Sequence, residues 1–104
     1  MVTNLLLQAQ QQLREVILNA LGQTVAKNTL PAQPIPTFQI EIPADTSHGD
    51  FAVNVAMVTA KTYKLPPRKI AQIIQDEIIL DGTYFERCEI AGPGFMNFFV
   101  SQKW

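Results

Sequence analysis

Ile90-Ala91-Gly92-Pro93-Gly94-Phe95-Met96-Asn97-Phe98-Phe99-Val100 is an apolar strand, a Gly-Pro-Gly break and a second, aromatic-rich strand. Proline fixes φ near the value wanted at the second position of a type II turn, and glycine supplies positive φ at the third, so Pro93 and Gly94 are expected at those corners. The turn joins strands expected over Tyr84 to Ile90 and Phe95 to Ser101. Side chains alternate across a sheet, so Phe95, Asn97 and Phe99 share one face while Met96, Phe98 and Val100 share the other. One face can build a core and the other can meet a partner. An asparagine beside aromatic rings suits an unpaired base, which stacks on the ring and pairs with the amide.

Working toward the N-terminus, a helix is expected from Pro67, with Ile70, Ile73, Ile74 and Ile78 as its apolar stripe and Asp81-Gly82 as its close. Asp50 is a suitable cap for another helix, from Phe51 to about Tyr63. The β-branched content of Phe51 to Val58 also fits a strand, and an extra short strand is possible near His48 to Phe51. Phe38, Ile40 and Ile42 alternate with Gln39 and Glu41 as in a half-buried strand, which Pro43 ends. Residues 24 to 37 carry Pro31, Pro34 and Pro36 and read as a connector. Before them lies an amphipathic helix over residues 3 to 21, striped by Leu6, Ala9, Leu13, Val16, Ile17, Ala20 and Leu21. Thr3 or Asn4 can cap it, and Gly22 offers a stop. The Gln-rich polar face reads as solvated surface.

The expected fold class is therefore α+β, a two-layer sandwich with helices on one face of a small, mainly antiparallel sheet, with an α-β-β-α-β-β type core. With 104 residues and 47% hydrophobic content, the chain reads as a single domain over 1–104 able to bury a core without staples. The one cysteine, Cys88, allows no internal disulfide, and no Cys/His cluster has metal-ligand spacing, so a reducing compartment and no structural metal are expected. Neither a signal peptide nor an apolar span of membrane length is apparent, which points to a cytoplasmic protein.

Eight Lys and Arg against nine Asp and Glu give a net charge of −1, poor in the broad basic field of a self-sufficient RNA binder. Yet Lys61, Lys64, Arg68 and Lys69 crowd into one short segment, a candidate phosphate-contacting patch or a solvated helix junction. Asp45, Ser47, His48 and Asp50 contain the residue types of a catalytic triad, but triad members normally converge from separate elements, and turn and cap chemistry explains them better. Gly92-Pro93-Gly94 is not a phosphate loop, since a strand follows it and no Gly-Lys-Ser/Thr does.

Glu41-Ile42-Pro43, His48-Gly49-Asp50-Phe51-Ala52 with Asn54, Ala56 and Lys61, then Pro67, Ile70 and Ala71, then Ala91-Gly92-Pro93-Gly94-Phe95-Met96-Asn97-Phe98 together resemble the N-terminal additional domain of arginyl-tRNA synthetases over essentially the whole chain. The resemblance implies an accessory domain that contacts the D-loop at the tRNA elbow and activates no amino acid itself. Neither class I catalytic signature, of the HIGH or KMSK type, is present, and a catalytic domain is expected beyond Trp104. ATP and Mg2+ would be requirements of the parent enzyme, with no cofactor in this domain. Phe95 and Asn97 would stack on and hydrogen-bond a D-loop base; some relatives have tyrosine at the Phe95 position, so one hydroxyl contact would be lost here. Gly49, Asp50, Asn54, Gly92, Pro93 and Gly94 are assigned to architecture, and Lys61, Lys64, Arg68 and Lys69 stay as the candidate phosphate contacts. The competing reading is a structural or protein-interaction module docking on the catalytic body, through Trp104 and the outer face of the first helix.

Overall fold

The computed structural model describes residues 5–33, 35–43 and 49–101. The chain runs α1 (Leu5–Ala26), β1 (Ile40–Glu41), β2 (Phe51–Val53), α2 (Val55–Tyr63), α3 (Pro67–Gln75), β3 (Phe85–Ala91) and β4 (Phe95–Val100). The strands form one antiparallel sheet in the order β1-β2-β4-β3, with three helices packed on one face. The expected α+β sandwich is what forms.

Strand β4 lies between β2 and β3, and its alternation sets the two faces. Phe98 pairs with Phe51 and Cys88, and Met96 with Val53 and Ile90, on the helix side. Phe51, Val53, Met96 and Phe98 are sealed there with Leu13 and Ile17 of α1, Val55 and Ala56 of α2, and Ile70 and Ile74 of α3. Phe85 joins them, meeting Phe51 and Phe98 edge-on at 5.9 Å each, the preferred geometry for aromatic pairs.

Several local expectations are corrected. Helix α1 continues through Gly22 to Ala26. Its reversal falls instead at Asn28, which takes φ 60, while the Thr29 and Leu30 amides both donate to the Thr24 carbonyl; asparagine is among the few side chains that tolerate the left-handed region. The proposed cap at Thr3 or Asn4 and the side chain of Leu6 lie outside the described residues. The glutamines of α1 are tethers as well as solvated surface: Gln12 accepts the Tyr84 amide at 2.8 Å and Gln10 donates to the Ile40 carbonyl.

Strand β1 is confined to Ile40–Glu41, shorter than the expected Phe38–Ile42; Phe38 is buried outside it and Ile42 is exposed. Phe51 to Val53 is a strand, and the helix starts only at Val55. Asp50 therefore caps no helix. Its amide donates to the Phe98 carbonyl and its carboxylate accepts the Val100 amide, both at 2.9 Å, so it extends the pairing of β2 with β4. Asn54 precedes α2 without a capping side-chain bond; it is tied in both directions to Gln39, accepting that amide on Oδ1 at 2.7 Å and donating its own amide to the Gln39 carbonyl at 3.2 Å. Helix α3 begins at Pro67 as expected but closes at Gln75, ahead of Ile78 and Asp81-Gly82.

The β3–β4 turn also differs in register. The Gly94 amide donates to the Ala91 carbonyl, so Gly92, at φ 56, and Pro93 hold the two corners, one residue earlier than expected. Positive φ at the first corner belongs to the turn family that matches strand twist in tight hairpins.

Candidate nucleic-acid interface on the open sheet face

The sheet face opposite the helices carries Phe95, Asn97 and Phe99 from β4, Ala52 from β2, and Arg87, Glu89 and Ala91 from β3. The strand register that buries Met96 and Phe98 forces these residues outward. Asn97 sits at the middle, between Ala52 and Glu89.

Asn97 is only 5% exposed, although it lies on the side away from the helices. Its amide has no hydrogen-bond partner among the described residues, and it is not among buried polar groups left unsatisfied. Its polar tip is therefore the part that meets solvent, while its flanks are enclosed along the strand. An amide tip that meets solvent keeps a donor and an acceptor available to a ligand.

The two flanking rings are in different states. The Arg87 guanidinium lies over Phe99 at 3.7 Å from the ring centroid, with Arg87 Nε donating to Glu89 at 2.8 Å and Nη1 to Glu86 at 3.1 Å. Phe95 is half-buried, and no ring or cation partner covers it among the described residues. Phe95 is thus the free platform and Phe99 the occupied one.

The end of the face at Phe95 is fixed by α3. An added Cβ on Gly94, whose φ is 138, would stand 2.7 Å from the Pro67 Cβ, so the turn and the helix start touch. Arg68 donates Nη1 to the Gly92 carbonyl at 2.5 Å. This brings one cation of the expected patch to the turn that carries Phe95. Lys61, Lys64 and Lys69 are exposed, without an ion-pair partner among the described residues, and Lys64 takes the left-handed conformation that ends α2. Gly49, at φ 91, approaches the Phe98 carbonyl so closely that an added Cβ would lie 2.9 Å from it.

Burial pushes the Cys88 thiol up to about 12, the Gln75 hydrogen bond and the Glu89 charge acting in opposite directions beneath that dominant effect. Such a thiol is a poor nucleophile at neutral pH. Asp45, Ser47 and His48 lie outside the described residues, as does Trp104. Among the described residues there is no cluster of three or more His, Cys, Asp and Glu that could hold a metal, and no helix long and apolar enough to cross a membrane.

Arg87 and Glu89 were missed as site residues by sequence reasoning. Their outward placement depends on a bulge: Phe85 pairs with Val100 and Arg87 with Phe99, leaving Glu86 as the extra residue. Without it, Phe85 and Arg87 would share a face. The signal was present, since apolar Phe85 is out of phase with Cys88 and Ile90.

Residues 11–100 match the family model described as the arginyl tRNA synthetase N terminal domain. An arginine–tRNA ligase of Acetivibrio thermocellus is 41% identical over 103 residues, covering 99% of this chain and 18% of that protein. One from Desulforamulus reducens is 46% identical over 85 residues, covering 82% of this chain and 15% of that protein. The chain therefore spans less than a fifth of the length of these curated relatives. The crystal structure of arginyl-tRNA synthetase from Plasmodium falciparum shares the fold, with a TM-score of 0.66 at 17% identity over 89% of this chain and 16% of that one. The agreement of the family model, of relatives aligned over nearly the whole of this chain and of the fold means that the chain belongs to the arginyl-tRNA synthetase N-terminal domain family.

Proposed function

We propose that this domain is an accessory tRNA-recognition module that contacts the D-loop at the tRNA elbow and supports arginylation by a longer parent enzyme. The parent would use ATP and Mg2+ in a catalytic domain outside this chain, while the domain itself carries no catalytic residue or cofactor. The observation that carries the reading is the pairing on the open face of an unpartnered Asn97 amide with the half-buried Phe95 ring, on which no ring or cation is stacked among the described residues. A base stacked on Phe95 is within the reach of the amide, which offers a donor and an acceptor to a base edge. Arg68 holds the turn and brings positive charge to it, while Lys61, Lys64 and Lys69 are exposed cations on the adjoining helical segment.

At a net charge of −1, the domain contributes selectivity and orientation within a larger enzyme more than long-range attraction. Family membership supports tRNA as the partner, because the named relatives are tRNA ligases. The test is nuclease footprinting of tRNA on the full-length enzyme. Wild type is expected to protect the D-loop, and Phe95→Ala to lose that protection while other footprints remain. A wild-type footprint lacking the D-loop would contradict the reading.

A second reading has its own observation. Leu7, Leu18 and Val25 are exposed and fall on one stripe of α1, a candidate surface for docking on the catalytic body of the parent. That contact can coexist with tRNA binding, since the open sheet face lies on the other side of the helices.

A further inference from the structure

We infer that Arg87, seated over the Phe99 ring, is a second base-stacking platform for RNA on the same face as Phe95 and Asn97; this rests on the tRNA-binding reading above. Three observations converge on it. The guanidinium carbon lies 3.7 Å from the Phe99 ring centroid, so the ring covers one side of the group. Its edge is committed to Glu86 and Glu89, yet half of the side-chain surface, 50%, stays accessible. A bulge in β3 directs this side chain to the open face.

These constraints decide what the group can recognise. Two carboxylates neutralise the cation and would repel a phosphate approaching its edge, which disfavours a backbone contact. The open π face is unaffected by that pairing. A planar guanidinium pre-ordered on an aromatic ring accepts a base in a stack at little entropic cost. Phe95 and Phe99 are four residues apart on one strand, about 13 Å along it, so a single base cannot cover both platforms. Two bases, one on either side of Asn97, can be held together.

The experiment is tRNA binding by the full-length enzyme across a salt series, comparing wild type with Arg87→Lys, Arg87→Ala and Asn97→Ala, with melting curves for each. Lysine keeps the charge and loses the plane. The inference expects Arg87→Lys and Arg87→Ala each to weaken binding at least about fivefold, with the slope of log K against log salt unchanged. Wild-type affinity in Arg87→Lys, with loss and a shallower slope by about 0.7–0.9 in Arg87→Ala, would identify a phosphate contact and overturn it. Loss in Asn97→Ala without loss in either Arg87 variant would overturn the inference and leave the tRNA reading standing; no loss in any variant would remove both. Should the Arg87 variants melt early, Phe99→Leu keeps the ion pairs, removes the supporting ring, and is expected to show the same fivefold loss, its absence again counting against the stack.

Discussion

Asn97 shows how a residue's face and its burial are separate properties. Alternation along Phe95–Val100 places it on the open face, but neighbouring strands enclose it to 5% exposure. Alternation sorted these residues into two faces, but which face the helices cover was not legible, and it is the packing that puts Met96 and Phe98 in the core. The enclosure of Asn97 was not legible either, because that depends on β4 being a central strand. Gly94 is fixed by two constraints at once, a φ of 138 and the proximity of Pro67. Gly94→Ala is therefore expected to cost at least about 1–3 kcal/mol from backbone strain alone, measured by urea denaturation. Cys88 gives a prediction in pH. Its folded value, about 12, lies above the ordinary 9.0, so the native state retains the thiol proton longer than the unfolded chain. Its contribution to stability is complete below pH 9 and is lost as pH rises toward 12. Thiol titration at pH 8 should accordingly find Cys88 unreactive in the native protein and reactive in denaturant.

At the scale of elements, the long periodic α1 and the β3–β4 hairpin could be read directly, whereas the segment from Phe51 to Tyr63 could not. Its first three residues pair with β4 and its last nine are helical. Local preference was balanced there, and strand pairing decided the outcome. Asp50 illustrates the same limit. A carboxylate that resembles a helix cap by sequence accepts the Val100 amide across the sheet. Asp50→Ala is expected to destabilise the domain by about 1 kcal/mol and to speed hydrogen exchange at the Val100 amide, with the helices retained. The bulge in β3 matters more for function, since it lets Phe85 enter the core while Arg87 faces outward. Phe85→Ala removes a ring packed against Phe51 and Phe98 and is expected to cost about 3–5 kcal/mol in a denaturation experiment.

The whole molecule divides its work between two sides of one small sheet. Helices seal the side built from Phe51, Val53, Met96 and Phe98, leaving the other to Phe95, Asn97, Phe99 and Arg87. The sandwich class followed from the order of periodic segments, while the β1-β2-β4-β3 order, which puts Asn97 at the centre of the open side, is a product of long-range pairing. The most direct test of that open side as the tRNA-reading surface is steady-state arginylation by the full-length enzyme carrying Asn97→Ala, with a melting curve alongside. The account predicts that kcat/KM for tRNA falls by an amount equivalent to about 1–3 kcal/mol, with KM for arginine and ATP and the melting temperature unchanged. Wild-type kcat/KM for tRNA in a folded Asn97→Ala enzyme would contradict it.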